Sequence, residues 1–537
     1  MESATRVLFN GTILTMDAFN TVVPAIAFKG ERILATGGND EMLSLAGPGA
    51  ERTDLNGATV IPGFYDAHGH FFMNVEFHAT RVDLNSPPIG DCRTFADCLE
   101  RLKERAATTP PGEWVQGYGF DDTMIAEKRF LTRHDLDQVS TEHPIVVSHI
   151  SGHLGVANTL ALKLAGFSRE TPDPAGGVIR READGTPNGI LEETAVINLY
   201  GQLPQLSCER LVDEIEKTCA DYAGKGITNA IDAGVMHQKY FKAVRLAAKQ
   251  DRLPIRVTYN PLFTLFDEPE EETFQSSKVH RGGVKLLQDG SIQCFTAYMS
   301  KPYYTPFKGD PEWRGYPTHT REKLFELIAK YHKAGHQIVI HTNGDAASED
   351  VLDAIEAAQK EHPVADPRFL MVHAQNVRED QLDRFKKLGV TPTFYTLHVY
   401  YWGDRHKGIF LGPERAAHQN PMRSAIERGI VVTAHCDVPV VPVDPFLSIW
   451  ACVNRISASG EVIGPEQRIS VVDALRAHTI NPAWQNFEEK DKGSLEPGKF
   501  ADLAVLDTNP LECAPERLRD IKVMETIVGG KTIFIRS

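Results

Sequence analysis

Eight short runs of apolar and β-branched residues recur through the middle of the 537-residue chain. They are Thr59–Ala67, Ile227–Asp232, Ile255–Asn260, Gly283–Leu287, Gln337–Ile340, Phe369–Val372, Val390–Phe394 and Ile430–Ala434. Between the later runs lie stretches of helical spacing, Arg321–Ala334, Ala346–Glu361, Glu379–Leu388 and Pro421–Arg428. Strands that alternate with helices predict a parallel α/β architecture, because each helix carries the chain back to start the neighbouring strand. Several helices end in glycine, as at Ala334-Gly335 and Leu388-Gly389, where the left-handed cap needs a residue without a Cβ. Eight strand–helix units predict a TIM-type (β/α)8 barrel, whose active site lies at the C-terminal ends of the strands.

Roughly 160 residues separate the first run from the second, far beyond an ordinary loop, so a large insertion with its own structure is expected there. An insertion there could cover the barrel mouth. The two ends of the chain share a different texture. Arg6–Phe9, Thr12–Met16, Ala25–Lys29 and Arg32–Thr36 read as strands, with hairpin turns at Asn10-Gly11 and Lys29-Gly30. Asp502–Leu506, Val523–Val528 and Thr532–Ile535 read the same way, so one small sheet domain assembled from both termini is expected. This divides the chain into residues 1–58, a barrel over 59–489 with the insertion at about 71–220, and residues 490–537.

Composition removes several function classes. Fifty-seven basic against 72 acidic residues leave a net charge of −15, with no basic block, which argues against nucleic-acid or anionic-membrane binding. No apolar run is long enough to span a bilayer, and the N-terminus lacks the apolar core of a secretory signal. The eight cysteines are scattered with no Cys-x-x-Cys pair, as in a reduced, cytoplasmic protein.

The residues at the strand ends carry the chemistry. The first run ends in His68-Gly69-His70, and residues two apart on a strand face the same side. A lone His-x-His is as readily a pair of surface or hydrogen-bonded histidines. Here the fourth run carries Lys285, the fifth is followed by His341, the sixth by His373 and the eighth by Asp437. Neutral imidazole and carboxylate are the donors that zinc and similar ions take. His68, His70, Lys285, His341, His373 and Asp437 are therefore the expected metal ligands, for one ion or two. An ammonium cannot ligate a cation. Lys285 serves either as a carbamate, formed when its buried amine loses a proton and takes up carbon dioxide, or as a salt-bridging or substrate-contacting lysine. Asp437 can take a proton from an activated water and return it to a leaving nitrogen.

These motifs resemble the amidohydrolase superfamily. Pro62-Gly63-Phe64-Tyr65-Asp66-Ala67-His68-Gly69-His70 is similar to its first-strand signature, and Gly493–Leu503 to the segment that returns the chain to a composite β-sandwich. Four further segments resemble the subgroup that contains N-substituted formamide deformylases. They are Ser151-Gly152-His153 with Val156-Ala157-Asn158, Gly176–Ile179 with Gly189–Glu193, Lys285 with Asp289-Gly290-Ser291, and Asp437-Val438-Pro439-Val440 with Asp444-Pro445. The resemblance implies a barrel plus sandwich, zinc, hydrolysis of a non-peptide carbon–nitrogen bond in a small-molecule amide, and a homodimer.

Around the ligands, His153 is a candidate catalytic residue that either hydrogen-bonds the substrate carbonyl or braces its turn. Asp289 and Asn343 either orient ligands or hold turns. Tyr118, Phe120, Trp313, Tyr395 and Tyr400–Trp402 are each core packing taken singly, and together suit an apolar N-substituent. Cys436 stands where the family commonly has Ser and is expected to be a buried thiol, with His435 facing the outer layer of the barrel. Rival readings are a cyclic-amide hydrolase, a deaminase on the same scaffold, and a non-catalytic metal-binding regulatory protein. Deaminases of the superfamily often carry Glu three residues after the fifth-strand histidine, where this chain has Gly344.

Overall fold

The run from Thr59 to Ala67 does not form one strand. In the computed structural model of the protein, which describes residues 3–152, 154–174, 177–269, 274 and 276–537, it splits at Gly63. Thr59–Pro62 pairs with Leu503–Leu506 of the C-terminus, whereas Phe64–Tyr65 pairs with Ile227–Val235. Gly63 permits the change of sheet because the chain passes hard against Thr228. A Cβ at this position would lie 2.1 Å from Thr228 Cγ2 and 2.7 Å from its Cβ.

The chain divides into two units, one of Met1–Phe72, Ile215–Val438 and Val443–Ser537, the other of Met73–Glu214 and Pro439–Pro442. In the first, the parallel strands follow one another in chain order. Phe64–Tyr65, Ile227–Val235, Arg256–Pro261 and Val279–Arg281 form one sheet. Val284–Leu287, Ile338–Thr342, Phe369–His373, Val390–Phe394 and Thr433–Ala434 form another. Every pairing within the two is parallel. The fourth strand is therefore cut at Gly282-Gly283, its first piece on the third strand and its second on the fifth. A Cβ on Gly282 would meet Asn260 Oδ1 at 2.2 Å, and one on Gly283 would meet the Gln337 carbonyl at 2.4 Å. A parallel bridge between Leu262 and Lys285 links the two sheets. Helices Gln238–Lys249, Arg321–Lys333, Asp345–Glu361 and Glu379–Leu388 lie between successive strands, as the alternation predicts.

Both termini contribute to one further sheet of this unit, with strands in the order Lys531–Ile535, Val523–Val528, Leu503–Leu506, Thr59–Pro62, Thr12–Leu14 and Val22–Val23. A second sheet runs Arg32–Gly37, Ala25–Lys29, Ala4–Phe9 and Ala46–Asp54. The hairpin at Lys29-Gly30 is present, with Ala25–Lys29 antiparallel to Arg32–Gly37. The hairpin expected at Asn10-Gly11 is not. Ala4–Phe9 and Thr12–Leu14 belong to different sheets, and the turn carries the chain from one to the other. Leu8, Ile26 and Phe28 of one sheet and Val60, Leu503 and Ile527 of the other share a buried cluster, so each sheet covers the apolar face of its neighbour.

The second unit holds a six-stranded sheet, with Gly177–Arg181, Pro187–Glu193, Leu154–Ala157, Ile145–His149, Val115–Phe120 and Arg81–Asp83 side by side. Helix Phe95–Thr108 starts at Thr94, whose hydroxyl accepts the Asp97 N–H, and buries Phe95, Cys98, Leu99 and Leu102. Among the described residues no helix is long and apolar enough to cross a membrane.

The terminal sheets are tied to the parallel strands by a buried ion pair. Arg256 of the third strand donates from Nε to Asp502 Oδ2 at 2.6 Å and from Nη2 to Oδ1 at 2.9 Å. The guanidinium also lies 3.8 Å above the Phe500 ring, and the Gly529 N–H donates to Asp502. Removing one member strands the other away from water. Asp502→Ala is expected to cost about 3–5 kcal/mol of stability, read as a lower urea midpoint; an unchanged midpoint would mean that the pair does not hold these sheets together.

Candidate metal centre

The ends of the first and eighth strands are joined by main-chain hydrogen bonds. The Asp437 N–H donates to the His68 carbonyl at 3.2 Å, and the His70 N–H donates to the Val438 carbonyl at 2.7 Å. The Ala233 N–H, at the end of the second strand, donates to the Gly69 carbonyl at 2.9 Å. His68-Gly69-His70 is thus held from both sides. Lys285 is the second residue of its strand, His341 the fourth and His373 the last of theirs. His373 and Asp437 both take left-handed backbone angles, φ 64° and 58°. For residues with a Cβ this costs of order 1–3 kcal/mol each, and it marks the two positions as held by their surroundings.

The side chains converge. Asp437 Oδ1 lies 3.4 Å from His68 Nε2 and 3.7 Å from His70 Nε2, and Oδ2 lies 4.0 Å from His373 Nε2. The rings of His68 and His373 are 5.3 Å apart, and those of His341 and His373 are 4.7 Å apart. Lys285 is buried, with Asp437 and Asp232 as its opposing charges. Burial drives the imidazoles of His68 and His373 well below their ordinary pKa, and that of His70 below it, so the rings are neutral with lone pairs to offer. The same burial brings Lys285 down to about 7 and raises Asp66 and Asp232 to about 7.

Several of these atoms have no hydrogen-bond partner among the described residues. They are both ring nitrogens of His68, Lys285 Nζ, His341 Nδ1 and Asp437 Oδ1. Unpartnered polar atoms in an interior are costly. Buried neutral imidazoles around a carboxylate are the donor set that a zinc-like divalent cation takes. These residues fit such an ion, and His68, His70 and Asp437 offer ligand atoms within 4.8 Å of one another.

The surroundings decide between alternatives that the sequence left open. Asp289 accepts the N–H groups of Tyr298, Asn343 and Gly344, at 3.0, 2.9 and 2.7 Å, and so builds the turn after His341. Its Oδ1 also lies 3.3 Å from His341 Nδ1. The Asn343 amide donates to the Gly290 carbonyl, and its nitrogen lies 3.3 Å from His341 Nε2. Both residues hold turns and flank a candidate ligand at the same time. Cys436 is buried, as expected. His435 does not face an outer layer. Its ring is buried 4.9 Å from that of His68, with Nε2 3.2 Å from His373 Nδ1. The two-residue spacing from Asp437 is the signal that could have placed it. Sequence reasoning also gave no role to Asp66 and Asp232. Asp66 Oδ1 accepts the Cys436 N–H, and Asp232 Oδ2 accepts the Phe72 N–H. Trp313 is packing, with its indole N–H donated to the Phe295 carbonyl, and Phe120 belongs to the core of the second unit. His153 lies outside the described residues.

The amidohydrolase family pattern matches residues 51–534. The chain belongs to the amidohydrolase family. This amidohydrolase is 31% identical to the N-substituted formamide deformylase of Arthrobacter pascens, over 99% of its own length and 98% of that protein. It is 28% identical to a putative amidohydrolase of Bacillus subtilis, over 98% and 99% of the two chains. It also resembles the crystal structure of an uncharacterized metal-dependent hydrolase from Pyrococcus horikoshii, with a TM-score of 0.77, 26% identity, and coverage of 95% and 99%. The amidohydrolase is a hydrolytic enzyme. Replacing His68 by Ala should lower the divalent-cation content per chain, measured by plasma mass spectrometry; an unchanged stoichiometry would take His68 out of the ligand set.

Proposed function

We propose that the amidohydrolase hydrolyses a carbon–nitrogen bond outside peptides, in a small N-substituted formamide or similar amide. The observation that carries this reading is Asp437. Its Oδ1 has no hydrogen-bond partner among the described residues, yet two neutral imidazoles lie within 3.7 Å of it. A buried carboxylate so placed can help hold a cation and can also accept a proton. The choice of amide rests on the formamide deformylase likeness, which runs over nearly the whole chain. The scaffold we infer is one (β/α)8 barrel, with the terminal sheets as a composite β-sandwich and an insertion after the first strand.

In this reading His68, His70, His341, His373 and Asp437 hold zinc. A divalent cation bound there would polarise the amide carbonyl and lower the pKa of a water toward neutrality. Asp437 takes one proton at Oδ1 as water adds to the carbonyl carbon, and delivers it to the nitrogen as the carbon–nitrogen bond breaks. Formate and an amine leave. Lys285, buried and with its pKa near 7, has a share of free amine at neutral pH. Adding carbon dioxide to that amine, with loss of one proton, would give a carbamate, an anionic oxygen donor for cations held at this site. A deaminase reading is disfavoured by Gly344. A Cβ there would sit 1.9 Å from the Tyr298 carbonyl oxygen, so a Glu does not fit. A cyclic amide would be opened by the same groups.

N-alkyl and N-aryl formamides should release formate with the purified enzyme. Asp437→Asn should lower kcat by at least about 100-fold with the cation retained; full turnover in that variant would remove Asp437 from the mechanism. Metal content paired with native mass tests Lys285. Two ions and the added mass of carbon dioxide are expected, and one ion with no increment would leave Lys285 as a substrate contact.

A further inference from the structure

Thr393, His435 and His373 form a line of hydrogen-bonded side chains that ends beside Asp437. Thr393 Oγ1 lies 2.9 Å from His435 Nδ1, and His435 Nε2 lies 3.2 Å from His373 Nδ1. The remaining nitrogen of His373, Nε2, is 4.0 Å from Asp437 Oδ2. All three side chains are buried. Tyr395 stacks on the His435 ring, with centroids 5.1 Å apart and planes 20° from parallel, and the His68 ring meets it edge-on. The His435 imidazole is therefore fixed in orientation as well as in place.

A bond between two imidazole nitrogens contains one proton, and its position decides what His373 can do. If His435 Nε2 carried the proton, neutral His373 would be protonated on Nε2 and would have no lone pair beside Asp437. If His373 Nδ1 carries it, Nε2 keeps its lone pair, His435 Nε2 accepts, and His435 Nδ1–H donates to Thr393 Oγ1. Only the second arrangement is compatible with a cation at His373 Nε2.

We propose that His435 is a positioning residue, whose Nε2 accepts a hydrogen bond from His373 Nδ1–H and so keeps His373 Nε2 open toward a bound cation. The inference rests on the cation-binding reading above. His435 is not itself a ligand in this assignment, although it offers a nitrogen near those of His373 and Asp437. Both of its nitrogens are engaged within the line. The outer partner of a metal-bound histidine is usually a carboxylate, a carbonyl or water, and it fixes the ring's tautomer. A neutral imidazole does the same here without adding negative charge to a site that already buries Asp437, Asp66 and Asp232.

The test is the affinity for Zn2+, measured by chelator competition on the full chain for wild type, His435→Gln and His435→Leu. Gln can still accept a hydrogen bond through its amide oxygen, whereas Leu cannot. His435→Leu should weaken binding by about 10–100-fold, and His435→Gln should restore most of that loss. The role is overturned if His435→Leu binds as tightly as wild type. It is equally overturned if Gln loses as much as Leu, because a ligand or a mere space-filler would behave that way. A wild-type chain that binds no cation would sink the functional reading and this inference together. A wild type that binds Zn2+ and is matched by His435→Leu would sink the inference alone.

Discussion

The candidate centre depends on hydrogen bonds donated by main-chain N–H groups between residues some 370 positions apart. The Asp437 N–H reaches the His68 carbonyl, the His70 N–H reaches the Val438 carbonyl, and the Cys436 N–H reaches the Asp66 carboxylate. Without these bonds the His-x-His pair and the carboxylate facing it would belong to unrelated parts of the chain. The bonds also explain the left-handed turn at Asp437. Its backbone is directed by the first strand rather than by local preference, and the conformational cost is met by the surrounding structure.

Burial then sets the chemistry. Imidazoles taken out of water resist protonation, and so does the Lys285 amine, while carboxyls resist losing their protons. The result is a set of neutral imidazoles beside a lysine and two carboxyls whose pKa values lie near 7, and several polar atoms of the site have no partner among the described residues. An interior built only for stability would pair these atoms or replace them with apolar groups. Sites that break local rules in this way are where function is found.

The same logic holds at the other end of the parallel strands. Arg256 and Asp502 are buried together and bonded at two points, so the C-terminal segment is tied to the third strand by a contact neither partner can leave cheaply. Gly63 adds the second tie. It lets one continuous apolar run serve two sheets, because no side chain intervenes between the backbone and Thr228.

The sequence by itself determined the order and direction of the parallel strands and the residue types at their ends. Hydrophobic period and helix-ending glycines are local signals, and they locate each strand end to within a few residues. They put His68, His70, His341, His373 and Asp437 at strand ends before any contact was visible. The tertiary structure decided what those signals cannot carry. It turned His435 inward, split the first run at Gly63, cut the fourth strand at Gly282-Gly283 and sent Asn10-Gly11 between sheets. It also gave Asp66 and Asp232 their partners. Each of these depends on which distant backbone passes alongside, and a one-dimensional pattern contains no measure of that distance. The sequence named the chemical groups; the long-range pairing of strands determined which atoms face one another.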